Sequence, residues 1–332
     1  MTRSYEILRV NDRPHRFLTR CDIFEEMGRR RKILVDTDPS MLTWGFEVDD
    51  DLALLFLLGS PEVELVGVTT TYGNSLGSLT YRDARLLLER CGRPEIPLAQ
   101  GAGFFSRDER PTAASRLIVE TIRRHPGEVT LLMLGPLTNL AAALAAWPDL
   151  ESQLAALVIM GGRCRAGLSD FNFRADPASA VRVLSMKTSK VVITIDLCLS
   201  VVVTPARIEA LSRHEGVVSE FIPTLRRFAR WQSLLRSMTS RVPGQATGGF
   251  HPWDAIAAAW LVDPSLFGDV REVGLAVDRK GRSFVTRRLD GVAGDRLRMP
   301  FTLEAERFLE LFSERLVVPP SAGSRESPGS SS

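Results

Sequence analysis

Cysteine is scarce in this 332-residue chain, and its four cysteines are widely spread, with no CxxC pair among them. This excludes a disulfide-stapled scaffold and a zinc site built from cysteine pairs, and it is typical of a reducing compartment. Long hydrophobic runs are also lacking. The longest apolar stretches, 52–58 and 154–160, are far shorter than the ~20 residues of a membrane-spanning helix, so no membrane partner is expected.

The chain also lacks an excess of charge of one sign, and no secretory leader is expected. Its 42 Lys and Arg residues balance 40 Asp and Glu residues, for a formal charge of +2. No basic surface for nucleic acid is therefore predicted. The opening residues, MTRSYEILRVNDR, contain no apolar segment with a small-residue cleavage site. We therefore expect a cytoplasmic protein.

Short β-branched apolar runs alternate with helical patterns along most of the chain. Strands are predicted at 32–35, 63–70, 129–134, 157–160 and 190–195. Helices are predicted at 49–58, 80–91, 113–124, 137–146, 177–184, 217–238 and 253–261. Nearly continuous apolar strands with helices between them indicate an α/β protein with an open, mostly parallel, Rossmann-like sheet covered by helices on both faces.

The predicted α/β domain spans residues 31–318, and its part after Pro205 is expected to be mostly helical. Residues 1–30 precede the first strand and are predicted to form an N-terminal extension. Residues 319–332, rich in Ser, Gly and Pro, are predicted to form a disordered tail.

Polar residues and glycines follow each predicted strand. They are Asp36 and Asp38, the run from Thr70 to Asn74, the GPLTN segment at 135–139, Gly161 and Gly162, and Asp196. Ligands of open α/β sheets bind at the carboxyl ends of the strands. We therefore expect these groups to converge on one site.

Six carboxylates lie around a single loop after the first strand: Asp36, Asp38, Glu47, Asp49, Asp50 and Asp51. One or two acids at a helix N-terminus are ordinary capping residues, but a crowd of this size would repel itself and raise its own pKa values. A hard divalent cation with oxygen ligands resolves this conflict. The crowding therefore predicts a metal site.

Five motifs in order make the chain resemble the inosine-uridine preferring nucleoside hydrolase family. Residues 33–55, ILVDTDPSMLTWGFEVDDDLALL, are similar to the family's DTDPGxDD signature. The others are GVTTTYGN at 67–74, LGPLTNLAAAL at 134–144, MGG at 160–162 with DFNFRADPASA at 170–180, and PWDAIAAAWLVDP at 252–264. The resemblance implies the family's open parallel sheet and hydrolysis of ribonucleosides to ribose and free base.

The resemblance also implies a role for each matching residue. Calcium would be held by Asp38, Asp50, Asp254 and the backbone carbonyl of Leu134, with Asp38 also the general base toward a metal-activated water. Asp36 would be a supporting acid. The sugar and base would be bound by Asp49, Asn74, Met160, Asp170, Asn172 and Trp253. The partner would be a small-molecule nucleoside, and the protein a homodimer or homotetramer.

Three departures from the family pattern qualify these roles. Residues Ser40–Val48 are an insertion between the DP and the aspartate run, and the segment between MGG and DFN is short, with Asp170 where Glu is usual. Trp253 replaces a histidine that protonates the leaving base in one branch of the family. Its indole stacks but does not donate a proton at neutral pH. We therefore predict a preference for purine nucleosides, with His251 as the candidate proton donor.

Two other functions remain open. A non-catalytic nucleoside- or sugar-binding protein of the same fold is compatible with the three departures, which all surround the site. A phosphatase of the haloacid dehalogenase type is compatible with the DxD pair at Asp36 and Asp38. The phosphatase alternative leaves the other four motifs unexplained.

Overall fold

A nine-stranded sheet forms the centre of the protein in the computed structural model, which describes residues 30–43, 47–103, 111–164, 170–239, 248–286 and 297–319. Side chains at 235–239 are outside this description. The strands are β1 Arg31–Thr37, β2 Val63–Thr70, β3 Leu98–Gln100, β4 Val129–Met133, β5 Ala156–Met160, β6 Lys190–Ile193, β7 Phe267–Val277, β8 Ser283–Thr286 and β9 Leu297–Leu303.

Strand β1 lies where the direction of chain progression across the sheet reverses. The strand order is β3-β2-β1-β4-β5-β6-β9-β7-β8, and β1 pairs in parallel with β2 on one side and β4 on the other. Asp36 is level with Thr69 of β2 and Met133 of β4. Ligand crevices of open α/β sheets form at such reversals, outside the carboxyl ends of the strands. The residues that follow β1, β2 and β4 therefore share one crevice.

Helices follow most of the parallel strands, as predicted. They are α1 Asp49–Leu58, α2 Gly77–Arg90, α3 Ala113–Arg124, α4 Thr138–Ala146, α5 Phe171–Ala175, α6 Pro177–Leu184, α7 Ile195–Cys198, α8 Pro205–Leu211, α9 Val217–Thr239, α10 Trp253–Val262 and α11 Ala305–Arg315. The prediction of an α/β fold with a mostly parallel sheet is confirmed. Strand β2 and helices α1, α3 and α6 have the predicted bounds.

Helices α1 and α10 pack against each other and are buried almost all round. Every residue of α1 from Asp49 to Leu57 is buried, and so is every residue of α10 from Asp254 to Leu261. A helix that is apolar on all sides is stable only inside a core. Both helices carry aspartates in their first turn, so their packing places these acids in the protein interior.

From Pro205 onward, the described residues form four helices and also three strands that were not predicted. Strand β9 pairs with β6 in parallel, and β7 pairs with both β9 and β8 in antiparallel orientation. Strand β7, with the sequence FGDVREVGLAV, carries charged residues and is half-exposed, so it lacks the apolar run that marked the earlier strands. Strand β3 is only three residues long, and it too has no such run.

The predicted N-terminal extension and C-terminal tail fall almost wholly outside the described residues and stay predictions. Within the described part of the chain, no helix combines the length and apolar character needed to cross a membrane.

Candidate active site

Asp36 is a fully buried acid that holds the ends of the central strands together. Its Oδ1 accepts hydrogen bonds from Thr69 Oγ1 at 2.6 Å and from Asn139 Nδ2 at 2.8 Å. Burial raises the pKa of the Asp36 carboxyl to about 7, although both hydrogen bonds oppose this shift. Asn139 in turn accepts from the Ala102 amide at 3.0 Å. Asp36 thus lies at the end of β1, beneath the crevice, and its role as a supporting acid stays a prediction.

Asp50 ties the start of α1 to the end of β1. Its Oδ1 accepts from the Thr37 hydroxyl and, at 3.0 Å, from the Asp38 amide, while its Oδ2 accepts from Asn74 Nδ2 at 2.8 Å. Burial raises the pKa of the Asp50 carboxyl, against these donors. Asp50 therefore fixes the side chain of Asn74. The contact of Asn74 with substrate stays a prediction.

Asp38 is buried between the loops that follow β2 and β4. The Asn74 amide donates to Asp38 Oδ2 at 2.7 Å. Burial, followed by the charge of neighbouring Asp50, raises the pKa of the Asp38 carboxyl well above its usual range. The site therefore favours the protonated form of Asp38 unless positive charge is added nearby.

Three aspartates offer ligand atoms that all lie within 4.8 Å of one another: Asp49, Asp50 and Asp254. All are buried, and no Lys or Arg in the described residues pairs with them. Burial first, and then the neighbouring carboxylates, raise the pKa values of Asp49 and Asp254 well above their usual range.

A hard divalent cation fits this group. Its donors are all oxygens, the type that Ca²⁺ prefers. Asp49 Oδ1 is buried and has no hydrogen-bond partner in the described part of the chain. The group shares Asp50 and Asp254 with the predicted ligands, but it contains Asp49, which was predicted to bind sugar, and lacks Asp38.

Glu47 joins the carboxylates from the inserted segment, although the family resemblance assigned it no role. Burial raises the pKa of its carboxyl to about 8, and Asp50 adds to this shift. Its charge in turn raises the pKa of Asp49, after burial. The Glu47 backbone is fixed by Ser40 Oγ, which accepts from the Glu47 amide at 3.2 Å. The acidic run of the sequence was the available signal for Glu47.

Asp170 and Asn172 bring the start of α5 to the same edge of the sheet. Asp170 caps the helix, with Oδ1 accepting from the Phe173 amide at 3.0 Å, and its buried Oδ2 has no partner in the described residues. Asn172 Nδ2 donates to the Leu134 carbonyl at 2.5 Å and the Met160 carbonyl at 3.2 Å. A carbonyl oxygen has two lone pairs, so Leu134 retains one for a cation.

Trp253 and His251 stand together at the beginning of α10. Their ring centroids are 4.8 Å apart with an interplanar angle of 47°. His251 Nδ1 lies 2.5 Å from the Val201 carbonyl oxygen, so a proton on Nδ1 is held there. Trp253 is half-buried and directly precedes Asp254. Trp253, the predicted base-binding residue, is therefore next in sequence to a member of the carboxylate group.

Asp51 does not join the other carboxylates, although its place in the acidic run suggested that it would. Its Oδ2 accepts from the Met41 amide at 3.1 Å, and its neighbour is Asp83 of α2. Asp83 Oδ2 accepts from the Leu42 amide at 2.9 Å and from the Thr43 amide at 2.7 Å. The two acids anchor the first part of the inserted segment. No sequence signal pointed to Asp83, which lies 40 residues from Thr43.

Residues 44–46 of the inserted segment lie outside the described residues.

Comparisons with known proteins identify related chains over most of the length. The model of the family described as inosine-uridine preferring nucleoside hydrolase matches residues 33–310. The chain is 27% identical to uridine nucleosidase 1 of Arabidopsis thaliana, over 88% of this chain and 95% of that protein. It is 29% identical to the non-specific ribonucleoside hydrolase RihC of Escherichia coli, over 76% of this chain and 85% of that protein.

A solved structure of a plant nucleoside hydrolase, the PpNRh1 enzyme, has the same fold. It superimposes with a TM-score of 0.75 at 23% identity, covering 88% of this chain and all of that one.

The carboxylate group predicts a stabilising response to calcium that depends on pH. Folding raises the pKa of Asp36 to about 7 and of Glu47 to about 8, whereas both titrate near 4 when unfolded. The folded state therefore binds more protons in this window, so the stability of the metal-free protein falls as pH rises. We expect Ca²⁺ to raise the Tm of chelator-treated protein more at pH 8 than at pH 5.

Asp254→Asn should reduce this calcium-induced rise in Tm, because it removes one charged donor of the group. The exposed acid Asp149 supplies the control, and Asp149→Asn should behave as the unmodified protein. A full calcium response in Asp254→Asn would place the cation elsewhere. Differential scanning fluorimetry at both pH values measures all three proteins.

Proposed function

Since this chain belongs to the inosine-uridine preferring nucleoside hydrolase family, we propose that it hydrolyses the N-glycosidic bond of ribonucleosides to ribose and free base. The observation that carries the proposal is that two buried acceptors at the predicted sugar-binding residues lack donors within the described part of the chain. Asp49 Oδ1 and Asp170 Oδ2 are both buried and unpartnered in the described residues. An unpaired buried acceptor costs on the order of 1–3 kcal/mol, and ribose hydroxyls supply the missing donors.

The proposed cation ligands are Asp38, Asp50, Asp254 and the Leu134 carbonyl, with calcium as the ion. When bound, the ion would lower the pKa of a water molecule and offset the carboxylate charge. Asp38 Oδ2 is occupied by the Asn74 amide, which leaves Asp38 Oδ1 to accept the proton of the attacking water. The water oxygen bonds to the anomeric carbon as the C–N bond breaks, and the departing base takes up a proton.

The remaining residues act on the sugar. Cleavage of this bond develops positive charge on the ribose ring, as in other glycoside hydrolyses. The ionised Asp49 and Asp170 carboxylates would bind hydroxyls of the ring and favour that charge. Asn172, held by the carbonyls of Leu134 and Met160, would position the ring between them.

We propose that the base stacks on Trp253 and that purine nucleosides are favoured. The names of the relatives differ on this point, because one is a uridine nucleosidase and another a non-specific ribonucleoside hydrolase. Trp253 is the residue that favours purines. A purine accepts a proton at N7 from solvent or His251 while it stacks, whereas uracil has no equally basic ring nitrogen.

The two alternatives receive different support. Asp36, the nucleophile of the phosphatase alternative, is fully buried with one oxygen bonded to Thr69 and Asn139, which does not suit attack on phosphate. Ribose release in the assays described below distinguishes hydrolysis from the alternative of a non-catalytic binding protein. The cytoplasmic location and the homodimer or homotetramer remain predictions.

We expect Asp38→Asn to fold and to lose turnover. The amide oxygen of asparagine still accepts from the Asn74 amide, but the base and one charged ligand are removed. General-base loss costs roughly 10²–10⁴-fold in rate. A reducing-sugar assay with inosine measures kcat, and Asp149→Asn is the surface control. Ribose release by Asp38→Asn at the unmodified rate would mean that the base lies elsewhere.

We expect Asp49→Ala to raise KM for inosine by about tenfold, the value of one hydrogen bond to a charged acceptor. If Asp49 binds ribose hydroxyls, the unmodified protein should discriminate against 2′-deoxyinosine and 3′-deoxyinosine, and Asp49→Ala should lose discrimination against one of them. The calcium-induced rise in Tm should persist. Loss of that rise with unchanged discrimination would instead make Asp49 a metal ligand.

We expect kcat to be higher for inosine than for uridine. Trp253→Ala should raise KM for inosine, because stacking contributes about 1–3 kcal/mol per base in comparable contacts. Trp253→His should raise the rate of uridine hydrolysis more than that of inosine hydrolysis. Uracil has no ring nitrogen as basic as purine N7, so its departure depends more on a proton donor at this position. Steady-state kinetics on both substrates provide the test. Equal kcat values in the unmodified protein would remove the role assigned to Trp253.

A further inference from the structure

Two glycines stand on either side of the Asp38 carboxylate. Gly73 follows β2, and a Cβ placed on it would lie 1.9 Å from Asp38 Oδ2 and 2.7 Å from Asp38 Cγ. Gly135 follows β4, and a Cβ placed there would lie 2.6 Å from Asp38 Oδ1 and 2.8 Å from Thr71 Cγ2. Each glycine therefore leaves open the space that one carboxylate oxygen occupies.

The backbone conformation does not require glycine at either position. Neither Gly73 nor Gly135 has a positive φ, in contrast to Gly161 and Gly162 nearby. L-residues with a side chain readily adopt negative φ angles. Glycine is therefore needed at these positions for the space that a Cβ would fill, and not for its backbone conformation.

The sheet topology explains why both contacts fall on the same side chain. Strand β1 lies between β2 and β4, so the loops after β2 and β4 flank the residue that follows β1. The Gly73 side holds Oδ2, which also accepts from the Asn74 amide at 2.7 Å. The Gly135 side borders Oδ1. The two loops thus contact different oxygens of one carboxylate.

We propose that Gly73 and Gly135 are positioning residues that fix the orientation of the Asp38 carboxylate. The inference rests on the proposed role of Asp38 in the reaction. The β1 backbone is bonded on both sides and cannot yield easily, whereas the Asp38 side chain turns about two torsions. A Cβ at either glycine therefore displaces the carboxylate and not the strand.

The experiment compares Gly135→Ala and Gly73→Ala with two glycine controls. Gly67→Ala, in β2, places a Cβ at an ordinary 3.5 Å from Leu34 Cδ1. Gly59→Ala places a Cβ 1.9 Å from the Arg315 carbonyl oxygen, at the opposite end of α1 from Asp49. Gly59→Ala is therefore a control for a steric clash as severe as that of Gly73→Ala, but distant from Asp38. Each variant is assayed for ribose release from inosine, for the calcium-induced rise in Tm, and for urea unfolding.

We expect Gly135→Ala to lower kcat by about 10²-fold, the usual effect of misplacing a reacting group by ~1 Å, with a smaller change in KM. Gly73→Ala, with the closer contact, should lose more. Both should show a smaller calcium-induced rise in Tm. Gly67→Ala should match the unmodified protein. Gly59→Ala should lose stability toward urea but keep its kcat per folded molecule.

A second variant separates the two neighbours of Gly135. Thr71→Ser removes the Cγ2 atom but keeps the hydroxyl. Because the displaced group is the Asp38 carboxylate, Thr71→Ser should not restore kcat to Gly135→Ala. Restoration would assign the effect to Thr71 and overturn the inference. A kcat in both glycine variants equal to that of Gly67→Ala would overturn it as well.

A crystal structure of Gly135→Ala supplies a readout that does not depend on turnover. The inference requires the Asp38 carboxylate to turn away from its orientation in the unmodified protein, and an unchanged carboxylate would contradict it. If the unmodified protein releases no ribose, the proposed function fails. The orientation of Asp38 in this crystal structure still decides the role of the glycines.

Discussion

Negative charge buried at one end of a parallel sheet is the constraint on which the rest of this structure depends. Asp38, Asp49, Asp50 and Asp254 are all at most 4% exposed, and none pairs with a basic side chain in the described residues. Carboxylates in such surroundings protonate or repel one another unless donors and a cation are supplied. Their arrangement destabilises the folded protein by itself. It is explained if the group serves to bind a ligand that supplies the missing donors and positive charge.

The fold supplies the donors from strands that meet at the same edge. The Thr37 hydroxyl and the Asp38 amide donate to Asp50, while the Asn74 amide and side chain reach Asp38 and Asp50. These donors hold the acids in place but do not saturate them. Asp49 Oδ1 and Asp170 Oδ2 are among the buried acceptors that have no partner in the described residues. A polyol, which brings several hydroxyl donors and no charge of its own, would supply donors to both. The same carboxylates favour positive charge that develops on a sugar ring.

Much of the fold was predictable because the central strands are buried on both faces. Their continuous apolar runs locate β1, β2, β4, β5 and β6, and the helical patterns between them imply the parallel order. Strands β7 and β9 were not predicted from the sequence. They lie near the β8 edge of the sheet, where charged and exposed residues interrupt the apolar pattern. Their identity as strands depends on pairing with each other, a contact between segments 20 or more residues apart that no local pattern encodes.

The sequence by itself determined which residue types follow each strand, and the crowding of their carboxylates predicted a cation. Tertiary structure decided which acids meet. Successive residues of a helix point about 100° apart, so the packing of α1 against α10 places Asp49 and Asp50 beside Asp254 and leaves Asp51 with Asp83. It also decided that two glycines from separate loops border Asp38. Neither outcome is readable along the chain, because each depends on how elements distant in sequence pack in space.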